Sequence, residues 1–261
     1  GGSVTIAAPE ESTLTYDGKA KEATLNSSLP DDVTAPTITY KDKNGTESST
    51  APTNAGPYTA SIKLGDATAS VTYEIEKATP SADDFTLTAP SGSLIYDGNA
   101  QPATVDVNGD IKGMGEIVAV KYYQDEKEVQ EPINAGTYKV KIDVTAGINY
   151  KAVNSLTSDD WTFTIERNPN APVVVLNDGA SYTYTGEPIQ PAVTVTVGGK
   201  ELENGKDYTV TYDGNVNVGD GTVIITAKGN YAFAKDTEHF TIVQAKQTLN
   251  FEKDAVNTTY G

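Results

Sequence analysis

Asn134-Ala135-Gly136-Thr137-Tyr138-Lys139-Val140-Lys141-Ile142-Asp143-Val144 decides the fold class. Apolar and polar residues alternate strictly from Tyr138 to Val144. Tyr138, Val140, Ile142 and Val144 therefore share one face of a strand, and Lys139, Lys141 and Asp143 share the other. Asn and Gly ahead of the strand tolerate positive φ and mark a turn. The arrangement recurs. Tyr58, Ala60, Ile62 and Leu64 follow Asn54-Ala55-Gly56, and Val223, Ile225 and Ala227 follow Asn217-Val218-Gly219. Ala192-Val193-Thr194-Val195-Thr196-Val197 is a further alternating strand that Gly198-Gly199 turns back.

A second marker precedes each of these turns. Tyr16-Asp17-Gly18 recurs as Tyr96-Asp97-Gly98, as Tyr184-Thr185-Gly186 and as Tyr260-Gly261, in steps of 80, 88 and 76 residues. Asn54, Asn134 and Asn217 follow their tyrosines by 38, 38 and 33 residues. Two markers in one order at near-constant separation define an internal repeat. Period-2 strands close each unit: Val71, Tyr73 and Ile75; Trp161, Phe163 and Ile165; Phe240 and Ile242. Short polar or proline-containing stretches follow at Lys77-Ala78-Thr79-Pro80, Arg167-Asn168-Pro169-Asn170 and Gln244-Ala245-Lys246. The expected domains are 3–78, 79–168 and 169–246, with 247–261 as the start of a truncated fourth repeat.

About seven short strands per unit predict an all-β chain of three tandem immunoglobulin-like β-sandwiches in an elongated arrangement. A small barrel or a β-grasp-like domain is the alternative. The Tyr-Asp-Gly element reads as a hairpin-type turn. Gln124 to Gln130, short and charged, reads as a polar connection and not as a helix. A compact globule of this length would have a radius of gyration of about 18 Å. Three sandwiches end to end would form a rod of about 100 Å with a radius nearer 30 Å, which small-angle scattering distinguishes.

Composition removes several function classes. The 261 residues carry 36 acidic and 19 basic side chains, a net charge of −17. Binding to nucleic acid or to an anionic membrane surface needs clustered Lys and Arg, so neither is expected. There is no cysteine, which excludes disulfides and thiol chemistry, and one histidine, His239, which excludes multi-histidine metal sites. No run of about 18 apolar residues is present, so no membrane insertion is expected. No secretory leader is visible either. Gly1-Gly2 and the stop at Gly261 read as the ends of an excised fragment, expected to be a monomer.

Residues that could carry chemistry read as structural. His239 falls in the outward phase beside Phe240 and should face solvent, without a nucleophile partner. The acid pairs Asp31-Asp32, Asp83-Asp84 and Asp159-Asp160 lack the ligand spacing of a calcium loop, and strand neighbours point to opposite faces. They are expected to be solvated, and calcium-dependent melting would test the contrary. Paired-carboxylate glycoside hydrolysis needs a substrate cleft, and units this small leave little room for one. Lysines and asparagines are available for an isopeptide crosslink, but no motif marks one. One ring of Tyr122-Tyr123 should be exposed, which suits a sugar, whereas tyrosines repeating at equivalent positions suit packing. No catalytic, cofactor-binding or metal residue is assigned. The assigned residues are the structural markers Tyr16, Gly18, Asn54, Gly56, Tyr96, Gly98, Asn134, Gly136, Tyr184, Gly186, Asn217 and Gly219.

Tyr184-Thr185-Gly186-Glu187-Pro188-Ile189-Gln190-Pro191-Ala192-Val193, Asp207-Tyr208-Thr209-Val210-Thr211-Tyr212, Asn217-Val218-Gly219, Gly229-Asn230-Tyr231 and Phe240-Thr241-Ile242 resemble the tandem Ig-like repeats of large bacterial cell-surface proteins. The Tyr-Asp-Gly and Asn-Ala-Gly pairs are similar to MBG/YDG-type surface repeats, and Asn149-Tyr150 matches the Asn-Tyr element. The first unit departs from the pattern, with Leu64-Gly65-Asp66-Ala67 in that place. The resemblance implies an extracellular stalk or adhesin module at a bacterial surface or cell wall, without catalytic residues or cofactors. Its implied partners are a host glycoprotein, a glycan or another surface protein. A carbohydrate-binding module is the alternative expectation.

Overall fold

A computed structural model describes residues 1–249. The expected fourth repeat, from position 250 on, lies outside the described residues. The chain divides into two compact units. The first holds Gly1–Gly92, Ala100–Pro132 and Thr137–Thr164; the second holds Ser93–Asn99, Ile133–Gly136 and the described residues from Ile165 on.

In the first unit, β1 (Ser3–Ala7) pairs antiparallel with β2 (Thr24–Ser28). A second sheet has the order β4-β3-β5-β6, from β3 (Thr39–Lys41), β4 (Glu47–Ser48), β5 (Gly56–Leu64) and β6 (Ala67–Ile75). Leu64 faces Ala67, so Gly65-Asp66 closes a two-residue hairpin. Tyr58 pairs with Tyr73 and Ala60 with Val71 on the inward face. Ile6 and Leu14 pack against the buried Tyr40, Ala60, Tyr73 and Ile75, so the core lies between the two sheets. The buried hydroxyls are satisfied. Tyr40 accepts the Ala23 N–H at 3.2 Å, and Tyr73 donates to the Lys21 carbonyl at 2.9 Å.

After β1 the chain crosses to the other sheet. Thr15 bridges Glu76 in parallel, and the Tyr16 N–H donates to the Glu76 carbonyl at 2.8 Å. The Tyr-Asp-Gly turn therefore does not join two antiparallel neighbours, contrary to the hairpin-type reading. It returns the chain from this parallel segment toward β2. Gly18 sits at φ +80°, and Asp17 Oδ1 accepts the Lys19 N–H at 2.9 Å, an Asx turn.

The strand pattern recurs in β7 (Phe85–Thr88), β8 (Thr104–Val107), β9 (Ile117–Gln124), β10 (Lys127–Val129), β11 (Gly136–Val144), β12 (Val153–Leu156) and β13 (Thr162–Ile165). β7 pairs with β8, and β10-β9-β11-β12 form the larger sheet with β13 also on β11. Tyr138, Val140, Ile142 and Val144 are all buried, as their alternation requires. Phe163 stacks on Tyr138 at 5.5 Å, and Phe85 meets Trp161 edge-on. Gln124 to Gln130 is the tip of the β9–β10 hairpin and not a loose connection. Asp125 and Glu126 both take positive φ, a turn that the absence of glycine concealed.

In the second unit, Ile95 bridges Glu166 in parallel. Beyond it come β14 (Val173–Leu176), β15 (Ser181–Thr183), β16 (Val193–Val197), β17 (Lys200–Glu201), β18 (Tyr208–Asp213), β19 (Gly219–Ala227) and β20 (Asp236–Val243). The sheets are β14-β16-β17 and β15-β20-β19-β18, with β15 parallel to β20 and the other pairs antiparallel. Val195, Val223, Ile225, Phe240 and Ile242 form the core. Among the described residues the helical pieces are single 3-10 turns at Glu11–Thr13 and Ala82–Asp84, so the helix a β-grasp requires is missing there. The architecture is all-β, and each pattern is an immunoglobulin-like β-sandwich with a split first strand.

Candidate functional site

The asparagine turns found by spacing come together with residues about 95 positions away, and the tyrosine markers with residues about 135 away. In the first unit the Asn54-Ala55-Gly56 turn meets Asn149, which is 2% exposed. Asn149 Oδ1 accepts the Ala55 N–H at 2.9 Å. Its Nδ2 donates to Asn54 Oδ1 and to the Lys112 carbonyl, each at 3.2 Å. The backbone adds two bonds: the Ala78 N–H donates to the Asn149 carbonyl at 2.9 Å, and the Lys151 N–H to the Ala78 carbonyl at 2.8 Å. Tyr150 presents its ring edge-on to Tyr16 at 5.5 Å.

The second unit repeats the main contacts of this joint. Asn230 Oδ1 accepts the Ala135 N–H at 2.8 Å, and Asn230 Nδ2 donates to Asn134 Oδ1 at 3.1 Å. The Asn168 N–H donates to the Asn230 carbonyl, and the Ala232 N–H to the Asn168 carbonyl, both at 2.8 Å. Tyr231 meets Tyr96 edge-on at 5.5 Å. Burial raises the Tyr150 hydroxyl above the usual phenol range, helped by Asp84, and raises Tyr231 likewise, helped by Tyr96. Both rings stay neutral at physiological pH.

The two tyrosine markers inside these joints, Tyr16 and Tyr96, are buried, whereas Tyr184 is 40% exposed. Asn54, Asn134 and Asn217 are all exposed on their turns, and Gly219 is exposed where Gly56 and Gly136 are half-buried. Gly18, Gly98 and Gly186 hold positive φ at their turns, and Gly56, Gly136 and Gly219 begin β5, β11 and β19. Spacing within a repeat did not reveal that Asn149-Tyr150 and Asn230-Tyr231 are the partners. The available signal was their recurrence after the long strands β11 and β19, against its lack after β5.

The remaining candidates are dispersed. His239 is exposed. Asp84 caps the 3-10 turn at Ala82 by accepting the Ser81 N–H, and Asp159 makes a long 3.8 Å ion pair with Lys139. Among the described residues no group of three His, Asp or Glu side chains is placed to hold a metal ion. Tyr122 is buried with its hydroxyl on Ala103, and Tyr123 faces the other way. Tyr123 lies in a shallow cleft of about 550 Å³ with Asp125, Glu126, Thr137 and Lys139, and Lys141 Nζ stands 4.3 Å from its ring centre. Further along the same two strands Lys121 and Asp143 pair at 2.7 Å. The hydrogen bond from Lys121 holds the Asp143 carboxyl below its ordinary range.

A family model described as MBG domain matches the chain twice, over residues 3–79 and 85–165. No curated protein matches. Among solved structures, a three-Ig segment of titin is similar at 14% identity, covering 89% of this chain and 94% of that one, with a TM-score of 0.30.

Proposed function

The chain belongs to the MBG domain family, and from that premise we propose that it acts as a non-catalytic stalk or adhesin segment of an extracellular bacterial surface protein. The observation that carries this reading is the use made of the recurrent residues. They hold one sandwich pattern to the next through asparagine clasps and tyrosine edges. In this reading 3–78, 79–168 and 169–246 are separate folding domains. Each short linker is pinned by two backbone bonds, so bending at a linker costs hydrogen bonds.

Pulling single molecules of the whole chain from end to end tests the proposal. Three unfolding events are expected, each releasing roughly 270 Å of contour for about 80 residues, less the folded span. One event releasing the whole length at once would contradict it.

Tyr123 favours a second reading, carbohydrate binding. Its ring lines an open cleft with Lys141, Thr137 and Thr162, side chains able to bond sugar hydroxyls. A glycan array comparing the chain with Tyr123→Ala decides it. Binding lost in the variant supports the reading, and absence of binding by the unaltered chain removes it.

A further inference from the structure

We propose that the third repeat ends in an open copy of the joint, built to take the Asn-Tyr loop of a further MBG repeat that follows Ala245 in the polypeptide. The frame is the same in all three places. The Tyr184 N–H donates to the Val243 carbonyl at 2.8 Å, as Tyr16 does to Glu76 and Tyr96 to Glu166 at the same distance. Thr185 Oγ1 accepts the Glu187 N–H at 3.2 Å, taking the part that Asp17 and Asp97 play toward Lys19 and Asn99. Gly186 has φ +80° against +80° and +82° at Gly18 and Gly98. Gly219 has φ +131° against +145° and +139° at Gly56 and Gly136. Ala245 stands two residues past Val243, as Ala78 stands past Glu76 and Asn168 past Glu166.

What differs is cover. Tyr16 and Tyr96 are 7% and 9% exposed beneath Tyr150 and Tyr231, whereas Tyr184 is 40% and Val218 48% exposed. The open surface thus offers what the closed joints use: a tyrosine ring, the Val218 N–H beside Asn217, and the Ala245 backbone. The closed joints identify the occupant. In both, the loop belongs to the repeat that follows the linker residue it binds. The sequence past Ala245 carries Tyr260-Gly261, the marker of another repeat. A second copy of this chain is a poor donor, because its Asn149 and Asn230 loops are engaged and its first repeat has the tight Leu64–Ala67 hairpin instead.

The inference rests on the tandem-repeat reading. The test extends the chain by joining a second copy of residues 169–245 directly after Ala245. Amide exchange at Val218 should slow by on the order of tenfold or more, and Tyr184 should become resistant to nitration. Both changes should vanish when the asparagine copied from Asn230 is replaced by alanine. Val218 and Tyr184 remaining as reactive as in the unextended chain would overturn the inference. A second arm needs no extension: Asn149→Ala should raise exchange at Ala55 and nitration of Tyr16 to the levels of Val218 and Tyr184. No change there would overturn it as well. Concentration-dependent protection of Tyr184 in the unextended chain would assign the surface to a second copy. Failure of the parent reading is distinct, since it appears as a single mechanical unfolding event.

Discussion

Replacing Asn149 by alanine should open the joint in the first unit while leaving the sandwich cores intact. The side chain makes three hydrogen bonds, to the Ala55 N–H, to Asn54 Oδ1 and to the Lys112 carbonyl. Each contributes about 0.5–1.5 kcal/mol net, and truncation leaves the Ala55 donor without this acceptor. The expected loss is about 2–4 kcal/mol. With a urea slope of about 2 kcal/mol per molar, the midpoint should fall by about 1–2 M. Trp161, the single tryptophan and 4% exposed, reports the transition by fluorescence. Asn149→Asp supplies the control on mechanism. Its carboxylate still accepts from Ala55 but sets a charge against two acceptors, Asn54 Oδ1 and the Lys112 carbonyl. At pH 7 it should therefore cost at least as much as alanine. A midpoint within about 0.2 M of the unaltered chain for alanine, or full tolerance of aspartate, would refute the reasoning.

Gly221 pairs with Phe240 across β19 and β20, and a Cβ there would meet the ring at 2.3 Å. Gly221→Ala should cost about 1–3 kcal/mol in thermal or urea melting, whereas Gly109→Ala, which meets nothing within 4 Å, should change stability by less than about 0.5 kcal/mol. The chain should also be sensitive to alkali. Burial holds the hydroxyls of Tyr40, Tyr73, Tyr122, Tyr150, Tyr208, Tyr212 and Tyr231 above the ordinary phenol range. The unfolded chain then releases its protons first, so their contribution is complete below about pH 10 and is lost as pH rises beyond it. Urea midpoints followed by circular dichroism should be flat from pH 7 to 9 and fall above 10; a level profile to pH 11 would contradict this.

Strand faces were legible because β structure reports itself through a period of two. Tyr138 to Val144 and Val71 to Ile75 point inward as their alternation demands. Gly198-Gly199 closes its hairpin with both residues at positive φ, the conformation glycine marks. The β9–β10 hairpin was not legible, because Asp125 and Glu126 reach the same conformation without glycine. The Tyr-Asp-Gly turn departs from the hairpin expectation because a local turn signal does not say which sheet the flanking segments join. Spacing exposed Tyr16 and Asn54 as repeated positions but not their purpose. Their partners, Tyr150 and Asn149, lie in the next repeat, and a period within one unit carries no information about contacts to its neighbour.

Residue-resolved amide exchange on the unaltered chain compares the three equivalent donors directly. Ala55 and Ala135 are held by the carboxamides of Asn149 and Asn230, while Val218 is exposed. If the repeated markers are joints, Ala55 and Ala135 exchange slowly and Val218 exchanges quickly, by about tenfold or more. Equal exchange at all three positions would contradict the central claim.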